Sequence, residues 1–343
     1  MSAGLFQIAL GDLHSLVLME DGSVWTAGAD LRGMNNRFAK AIPSDAIAVA
    51  AGTGYSMVLK QGGSLWAAGN NFQGQLGDGT RTSKETFFFV QTMLGAMEIA
   101  AGGHHSLVLV QEGRLWATGW NKYGQLGDSS TSYKTRFFVA LTDGVEAIAA
   151  GDIHSIALKE DGSVWAAGRN RNGQLGDGTN IDRKAFVKVI SGGAKDVAAG
   201  GFHSMVLMDD YSVWATGWNK NGQLGDGTTI DRSAYLQVVW TGAKAIAAGS
   251  RHSIMLKQDG SVWVTGYNIF GQLGDGSIID SEVFRKVIAD SVKIIAAGAY
   301  HSMALDVEGN IWVTGSNQRG QFGDSSKSSS NVFVKIARFA DGV

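Results

Sequence analysis

GDIHS at residues 151–155, DGSVW at 161–165 and GQLGD at 173–177 are the three segments that decide the fold. Four short apolar runs surround them, at residues 148–151, 154–158, 164–168 and 186–190. Glycine-containing turns separate the runs, and an Asp-Gly pair between the second and the third run is a hairpin signal. Four runs of strand length joined by such turns predict one unit of four antiparallel strands.

This unit recurs along the whole chain at three fixed offsets. Tryptophans stand in phase at Trp25, Trp66, Trp116, Trp165, Trp214, Trp263 and Trp312. Eleven residues before each lies a histidine or its replacement, at His14, Tyr55, His105, His154, His203, His252 and His301. Eight residues after each lies a glycine, at Gly33, Gly74, Gly124, Gly173, Gly222, Gly271 and Gly320. Constant offsets in seven copies indicate one array, with approximate repeats 7–47, 48–97, 98–146, 147–195, 196–244, 245–293 and 294–343.

Seven copies of a four-stranded antiparallel unit predict an all-β protein, a single seven-bladed β-propeller domain covering residues 1–343. Small Ala-Ala-Gly runs, such as 198–200, suit strands that crowd around the axis. Tryptophans on the third strand and aromatic residues on the fourth supply bulk between diverging blades. The end of the chain, 341–343, repeats the internal segment 143–145, and residues 6–11 read as its continuation. We therefore predict that the N- and C-terminal segments join to close the ring.

The composition excludes several classes of function. Only 17% of the residues are charged and the net charge is −2, so bulk nucleic-acid binding, which needs a basic excess, is not expected. The absence of cysteine excludes disulfides, thiol catalysis and zinc–thiolate sites. No apolar run approaches the length of about 20 residues that spans a membrane. We expect a soluble protein, and the cytoplasm is favoured unless a signal peptide was removed.

The three motifs resemble the regulator-of-chromosome-condensation repeat. That family carries Gly-x-x-His-Ser/Thr, then Asp-Gly-x-Val-Tyr/Trp, then Gly-x-Asn-x-x-Gly-Gln-Leu-Gly, and residues 151–155, 161–165 and 168–176 match it. Six of the seven copies keep Gly-Gln-Leu/Phe-Gly-Asp, whereas the first copy is degenerate at 33–36. The resemblance implies a seven-bladed propeller. It also implies one family activity, nucleotide exchange on a small GTPase. In the founding member of the family this activity is associated with an insertion, and the repeats of this chain do not contain one.

The recurrent polar residues have a structural interpretation. A metal site needs several ligands within about 2 Å of one ion, and one histidine per blade around a ring does not converge. We predict that each histidine ring forms a hydrogen bond to the backbone of its own blade. The Gly-Gln-Leu-Gly-Asp-Gly-Thr segment lacks the lysine and helix of a phosphate loop and is predicted to be a turn. We predict no catalytic residues, no metal and no cofactor.

Antiparallel topology places the strand 1–2 and strand 3–4 connections of every blade on one face of the disc. The positions that differ among the copies lie in these connections and are often aromatic or arginine, the residue types that dominate interface hot spots. We predict that a protein partner binds this face at Trp120, Tyr123, Arg169, Phe202, Trp218, Arg251, Tyr267, Phe270 and Tyr300.

Three other interpretations remain open at this stage. The same residues could cover the central opening of the ring. The protein could be a guanine-nucleotide exchange factor for a small GTPase, as the resemblance implies. It could also bind glycans, because aromatic clusters beside Asn and Asp suit sugars.

Overall fold

The structure, a computed structural model, describes residues 5–30 and 33–336. Its strands form seven four-stranded antiparallel sheets arranged as blades around an axis, which confirms the predicted all-β, seven-bladed propeller. Each blade uses four strands that are consecutive in the chain. The C-terminal segment 341–343, used to predict ring closure, lies outside the described residues.

The first four blades contain sixteen strands. Blade 1 comprises β1 (Leu5–Leu10), β2 (His14–Met19), β3 (Val24–Asp30) and β4 (Gly33–Ile42). Blade 2 comprises β5 (Ala46–Ala51), β6 (Tyr55–Lys60), β7 (Ser64–Gly69) and β8 (Lys84–Thr92). Blade 3 comprises β9 (Ala96–Ala101), β10 (His105–Val110), β11 (Arg114–Gly119) and β12 (Lys134–Leu141). Blade 4 comprises β13 (Val145–Ala150), β14 (His154–Lys159), β15 (Val164–Gly168) and β16 (Arg183–Ile190).

The last three blades repeat the pattern. Blade 5 comprises β17 (Ala194–Ala199), β18 (His203–Met208), β19 (Val213–Gly217) and β20 (Arg232–Val239). Blade 6 comprises β21 (Ala243–Ala248), β22 (His252–Lys257), β23 (Val262–Gly266) and β24 (Ser281–Ile288). Blade 7 comprises β25 (Val292–Ala297), β26 (His301–Asp306), β27 (Ile311–Gly315) and β28 (Ser330–Ile336). Single 3-10 turns at Gln61–Gly63 and Gln111–Gly113 join the second and third strands of blades 2 and 3.

Burial follows the position of a strand in its blade. The second strands are almost wholly buried, as in β10, because neighbouring blades cover both of their sides. The fourth strands border solvent, and β12 buries only Phe137 fully. The in-phase tryptophans are half-buried and pack against the apolar clusters between blades, as Trp165 does. The core of the protein is therefore a set of blade-to-blade junctions around the ring.

The Gly-Gln-Leu/Phe-Gly-Asp segment connects a blade to the next one in six of the seven blades. Gly176 has φ +77°, and a Cβ there would stand 2.4 Å from the Tyr235 ring of the following blade. The amide of Asn170 donates to Asp177 Oδ1 at 2.9 Å, and the Asn170 oxygen accepts from the backbone of Leu175 at 2.9 Å. Glycine is required at this position because the adjacent aromatic side chain occupies the space of any Cβ.

Blades 7 and 1 meet through the same kinds of contact as the other blades. The backbone N–H of Ala299 donates to the Gly11 carbonyl at 3.3 Å, and that of Ser325 donates to the Asn36 carbonyl at 2.7 Å. Gly323 lies against Phe38, the equivalent of the Gly176–Tyr235 contact. The ring therefore closes by packing complete blades, although the first copy has lost the Gly-Gln-Leu-Gly-Asp sequence. Within the described ranges, no helix has the length and hydropathy to cross a membrane.

Candidate binding face

The recurrent histidines connect neighbouring blades. His154 Nε2 lies 2.8 Å from Ser204 Oγ of the next blade, and Ser204 Oγ donates to the Gln174 carbonyl at 2.7 Å. Because the serine gives its one hydrogen to the carbonyl, it accepts from the histidine, which fixes the Nε2–H tautomer. The equivalent pairs are His14–Ser56, His105–Ser155, His203–Ser253, His252–Ser302 and His301–Ser15. The predicted bond to the backbone of the same blade is therefore wrong.

Tyr55 supplies the seventh link of this circle. Its hydroxyl donates to the His105 carbonyl at 2.5 Å and lies 3.0 Å from Ser106 Oγ, whose one hydrogen goes to the Gln75 carbonyl at 2.7 Å. Burial lowers the pKa of four histidines to about 3 and that of the fifth to about 4, so all five are neutral: His105, His154, His252, His301 and His203. In the part of the chain that the structure describes, no group of three or more His, Asp or Glu residues could hold a metal ion.

The variable positions of the strand 1–2 and 3–4 connections meet above this circle. The Arg251 guanidinium lies 5.1 Å from the ring centroid of Trp218 and 5.7 Å from that of Tyr267. Phe202 meets Trp218 edge-on, with centroids 5.9 Å apart. Phe270 contacts Tyr267 at 6.3 Å and Tyr300 at 5.1 Å. Six of the nine predicted binding residues thus form one continuous chain across blades 5, 6 and 7.

The other three predicted residues form a second group on blades 3 and 4. The Arg169 guanidinium lies 5.1 Å from the Tyr123 centroid, and Tyr123 meets Trp120 edge-on at 5.5 Å. His104 contacts Trp120 with centroids 5.8 Å apart. Burial lowers the pKa of His104, although the charge of Asp12 opposes the shift. We call the nine residues and His104 the aromatic belt.

Sequence reasoning missed an exposed apolar rim on the same connections. Ile181, Ile230 and Ile279 occupy equivalent positions of blades 4, 5 and 6 and are 62%, 58% and 70% exposed. Ile278, beside Ile279, is 60% exposed. The signal was present in the sequence as an Ile-Asp pair in three consecutive copies, at 181–182, 230–231 and 279–280. We call these four side chains the isoleucine rim.

The axial opening of this face carries two carboxyl groups that sequence reasoning also missed. Asp12 and Asp152 line a central cavity of about 70 Å³, together with Thr53, Ser250 and the glycines that end the innermost strands. Burial raises the pKa of Asp152 to about 7; the Asp12 charge adds to this shift and the Arg251 charge opposes it. Burial also raises the pKa of Asp12, against a hydrogen bond from Thr53 and the charge of His104.

Solved structures share this fold at low sequence identity. Human WBSCR16 is 23% identical with a TM-score of 0.80, over 89% of this chain and 86% of that one. Prp20p from Saccharomyces cerevisiae is 22% identical with a TM-score of 0.76, over 88% and 82%. The CRINKLY ectodomain of the Arabidopsis thaliana receptor kinase ACR4 is 18% identical with a TM-score of 0.57, over 91% and 96%. At these identities the likeness shows the fold alone.

Family models identify the chain more closely. No match was found among curated protein sequences. The RCC1-like domain model matches residues 2–241. Models of the regulator of chromosome condensation (RCC1) repeat match 243–272 and 292–321, and also 259–305. Because the first match covers more than half of the sequence, the chain belongs to the RCC1-like domain family.

Proposed function

We propose that this protein is a non-enzymatic interaction scaffold that binds a protein partner through the face carrying the strand 1–2 and 3–4 connections. The observation that carries this proposal is the aromatic belt, whose two groups lie on blades 3 and 4 and on blades 5 to 7. Contacts between different blades hold each group together, at Arg169–Tyr123, Arg251–Trp218 and Phe270–Tyr300. Residues that only maintained the repeat would be the same in every blade, as the histidines and serines almost are.

The geometry of the belt suits association with another protein. Its rings are half-buried and held edge-to-face, so little side-chain freedom remains to be lost on binding. Arg169 and Arg251 are held over aromatic rings, and Arg, Trp and Tyr are the residues enriched in hot spots. The isoleucine rim adds exposed apolar surface on the same connections. Together these features offer large, rigid contacts at the centre and apolar surface beside them.

The test is capture of partners by the intact protein and by a variant with Trp120, Trp218 and Tyr267 changed to alanine. We expect the variant to lose the specifically captured proteins and to keep the far-ultraviolet circular dichroism of the parent. Trp240→Ala is the matched control, because Trp240 is 79% exposed in a strand 4–1 connection on the opposite face. Equal capture by the triple variant and the parent would refute the proposal.

A second candidate, exchange factor for a small GTPase, has support from a structural neighbour. Prp20p has been characterised for its binding to Gsp1p and histones, and it shares the propeller over most of both chains. Nucleotide release from a panel of small GTPases, measured with a fluorescent nucleotide, tests this candidate. Acceleration of release for one GTPase, lost in the triple alanine variant, would place exchange activity on the same face.

The glycan alternative has weaker support. Its polar contacts would come from loop Asn and Asp residues, but Asn170 is fully buried and bonded to Asp177 within the loop. The equivalent Asn219 and Asn268 are buried and bonded in the same way. The aromatic rings remain, and a glycan array tests this alternative directly.

A further inference from the structure

We propose that the partner segment which binds the aromatic belt is acidic, and that its Asp and Glu carboxylates are seated on Arg169 and Arg251. This inference rests on the proposed function and names the chemistry of the partner.

Neither arginine has an acid within ion-pair distance in the described part of the chain. Arg251 stacks on Trp218 and Tyr267, and Arg169 stacks on Tyr123. Within the described ranges neither guanidinium has an ion pair within 4.0 Å, and the buried Arg169 Nε has no hydrogen-bond partner. A guanidinium that lies on an aromatic ring still directs its N–H groups outward in its own plane, where a carboxylate can accept two of them.

The aspartates of the strand 3–4 connections are already engaged within the loops. Asp177 accepts from Asn170 and from the Arg183 guanidinium at 2.7 Å. Asp182 accepts from the backbone N–H of Asn170 at 2.8 Å. The same bonds recur at Asp226, Asp231, Asp275 and Asp280. Donors of the loop itself therefore occupy acceptor positions of these carboxylates.

The cations of the same connections are less engaged. Lys122, Arg171 and Arg319 are exposed, and no ion pair within 4.0 Å reaches them in the described part of the chain. Two further acids, Asp12 and Asp152, lie at the axial opening, where burial raises their pKa values. Within the described residues, Arg169, Arg251 and these three exposed cations are thus without an ion pair on this face. Their complement is an acidic segment.

The surface between the arginines sets a second requirement. The rings of Trp218, Tyr267 and Phe270 and the isoleucine rim are apolar, so a purely anionic polymer would leave them uncovered. A peptide that alternates acidic residues with aromatic or aliphatic ones would satisfy both the guanidinium groups and this surface. The occupant is therefore an acidic, partly apolar peptide segment.

The probe for this proposal is a phage-displayed library of random dodecapeptides, selected on the immobilised full chain. We expect the recovered peptides to be enriched in Asp and Glu, with aromatic or aliphatic residues between them, and their affinity to fall as salt is added. In fluorescence polarisation with a synthetic recovered peptide, Arg251→Gln and Arg169→Gln should each weaken binding about tenfold. Lys257→Gln is the matched control, since Lys257 lies 4.3 Å from the Trp263 centroid near the opposite face. It should leave the affinity unchanged.

The outcomes separate this inference from the proposed function. Two results would refute the acidic partner and leave the binding face in place. One is the recovery of peptides rich in Lys and Arg. The other is peptides that lose affinity for the triple alanine variant and keep it for Arg251→Gln and Arg169→Gln. Peptides unaffected by the triple alanine variant would overturn both. A recovered peptide with phosphoserine in place of its acidic residues tests phosphate as the other source of negative charge. A tenfold gain in affinity would indicate that the arginines bind phosphates and not the proposed carboxylates.

Discussion

Phe202 and His203 are adjacent in one strand 1–2 connection, yet they belong to two different regions of the molecule. His203 is fully buried, and its ring nitrogen reaches Ser253 of the next blade at 2.9 Å. Phe202 is half-buried and contacts Trp218 on the binding face. The histidine position has the same chemistry in six blades, whereas the position before it differs in all seven. The repeated histidine position therefore holds the ring together, and the variable position before it is the one that can contact a partner.

The variable pair before each histidine also divides into two environments. Its first residue lines the axial cavity, as Asp12, Thr53, Asp152 and Ser250 do. Its second residue joins the aromatic belt in several blades, as His104, Phe202, Arg251 and Tyr300 do. A one-residue step along the chain therefore moves a side chain from the axis to the contact surface. The predictions below test this separation.

The largest expected effect is a loss of stability in acid that comes from the histidine circle. Five of its histidines have pKa values of about 3 to 4 when folded, against about 6.5 in an unfolded chain. Below pH 6.5 the unfolded chain binds more protons than the folded one, so the free energy of unfolding falls as the pH drops. This loss continues down to the folded pKa values.

Two buried carboxyl groups act in the opposite direction. Burial raises the pKa of Glu98 and of Asp152 to about 7, and the Asp196 charge adds to the shift of Glu98. The folded chain therefore binds their protons first, which stabilises it as the pH falls through 7. Counted over these seven groups alone, five histidines less two carboxyl groups leave about three protons, or a slope of about 4 kcal/mol per pH unit. Urea unfolding followed by tryptophan fluorescence between pH 7 and 5 measures it; a midpoint independent of pH would contradict the neutral circle.

The next effect compares the two adjacent residues directly. His203→Ala removes a fully buried ring and its bond to Ser253, and it should lower the free energy of unfolding by about 2–4 kcal/mol. Phe202→Ala should cost clearly less, because the side chain is only half-buried, and it should reduce binding instead. Urea titration and peptide binding, measured on both variants, give the two readouts. Equal losses of stability would show that the two residues do not belong to separate regions.

The sequence was sufficient for the fold because the seven copies repeat the same local chemistry. It was not sufficient for the histidine partner, because Ser204 lies 50 residues from His154 and only the register between blades brings them together. Nine of the ten belt residues were predicted by their variability and their side-chain type, and His104 was not. The contact between Arg251 and Trp218 could not be predicted, since it depends on how neighbouring blades are inclined. The role of Asp152 was missed because a single aspartate gives no sign that it faces the axis.

A smaller effect uses the natural exception in the circle. Tyr55 replaces histidine in blade 2, and its hydroxyl supplies the link that an imidazole makes elsewhere. Tyr55→His should retain the fold and add one buried neutral histidine, so the acid slope should steepen by up to about 1.4 kcal/mol per pH unit. Tyr133→His is the control, because Tyr133 is 39% exposed and a histidine there keeps contact with solvent. An unchanged slope for Tyr55→His would mean that this site admits water and does not continue the circle.

The smallest expected effect concerns the axial carboxyl group beside the belt. Asp152 and Arg251 attract each other, so the ionised Asp152 competes with an acidic peptide for the guanidinium. Asp152→Asn should strengthen peptide binding about threefold at pH 8, a change typical of partly exposed charge pairs, and should change little at pH 6. Burial and the Asp12 charge raise the pKa of Asp152 to about 7. As the pH falls through 7, Asp152 of the parent protein is protonated, and the affinity of the parent protein for the peptide rises. Asp45→Asn, on the opposite face, is the control. Asp12 and His104 are further titratable groups near this opening. If peptide binding by Asp152→Asn kept the full pH dependence of the parent protein, Asp12 or His104 would set the charge beside the belt, and Asp152 would not.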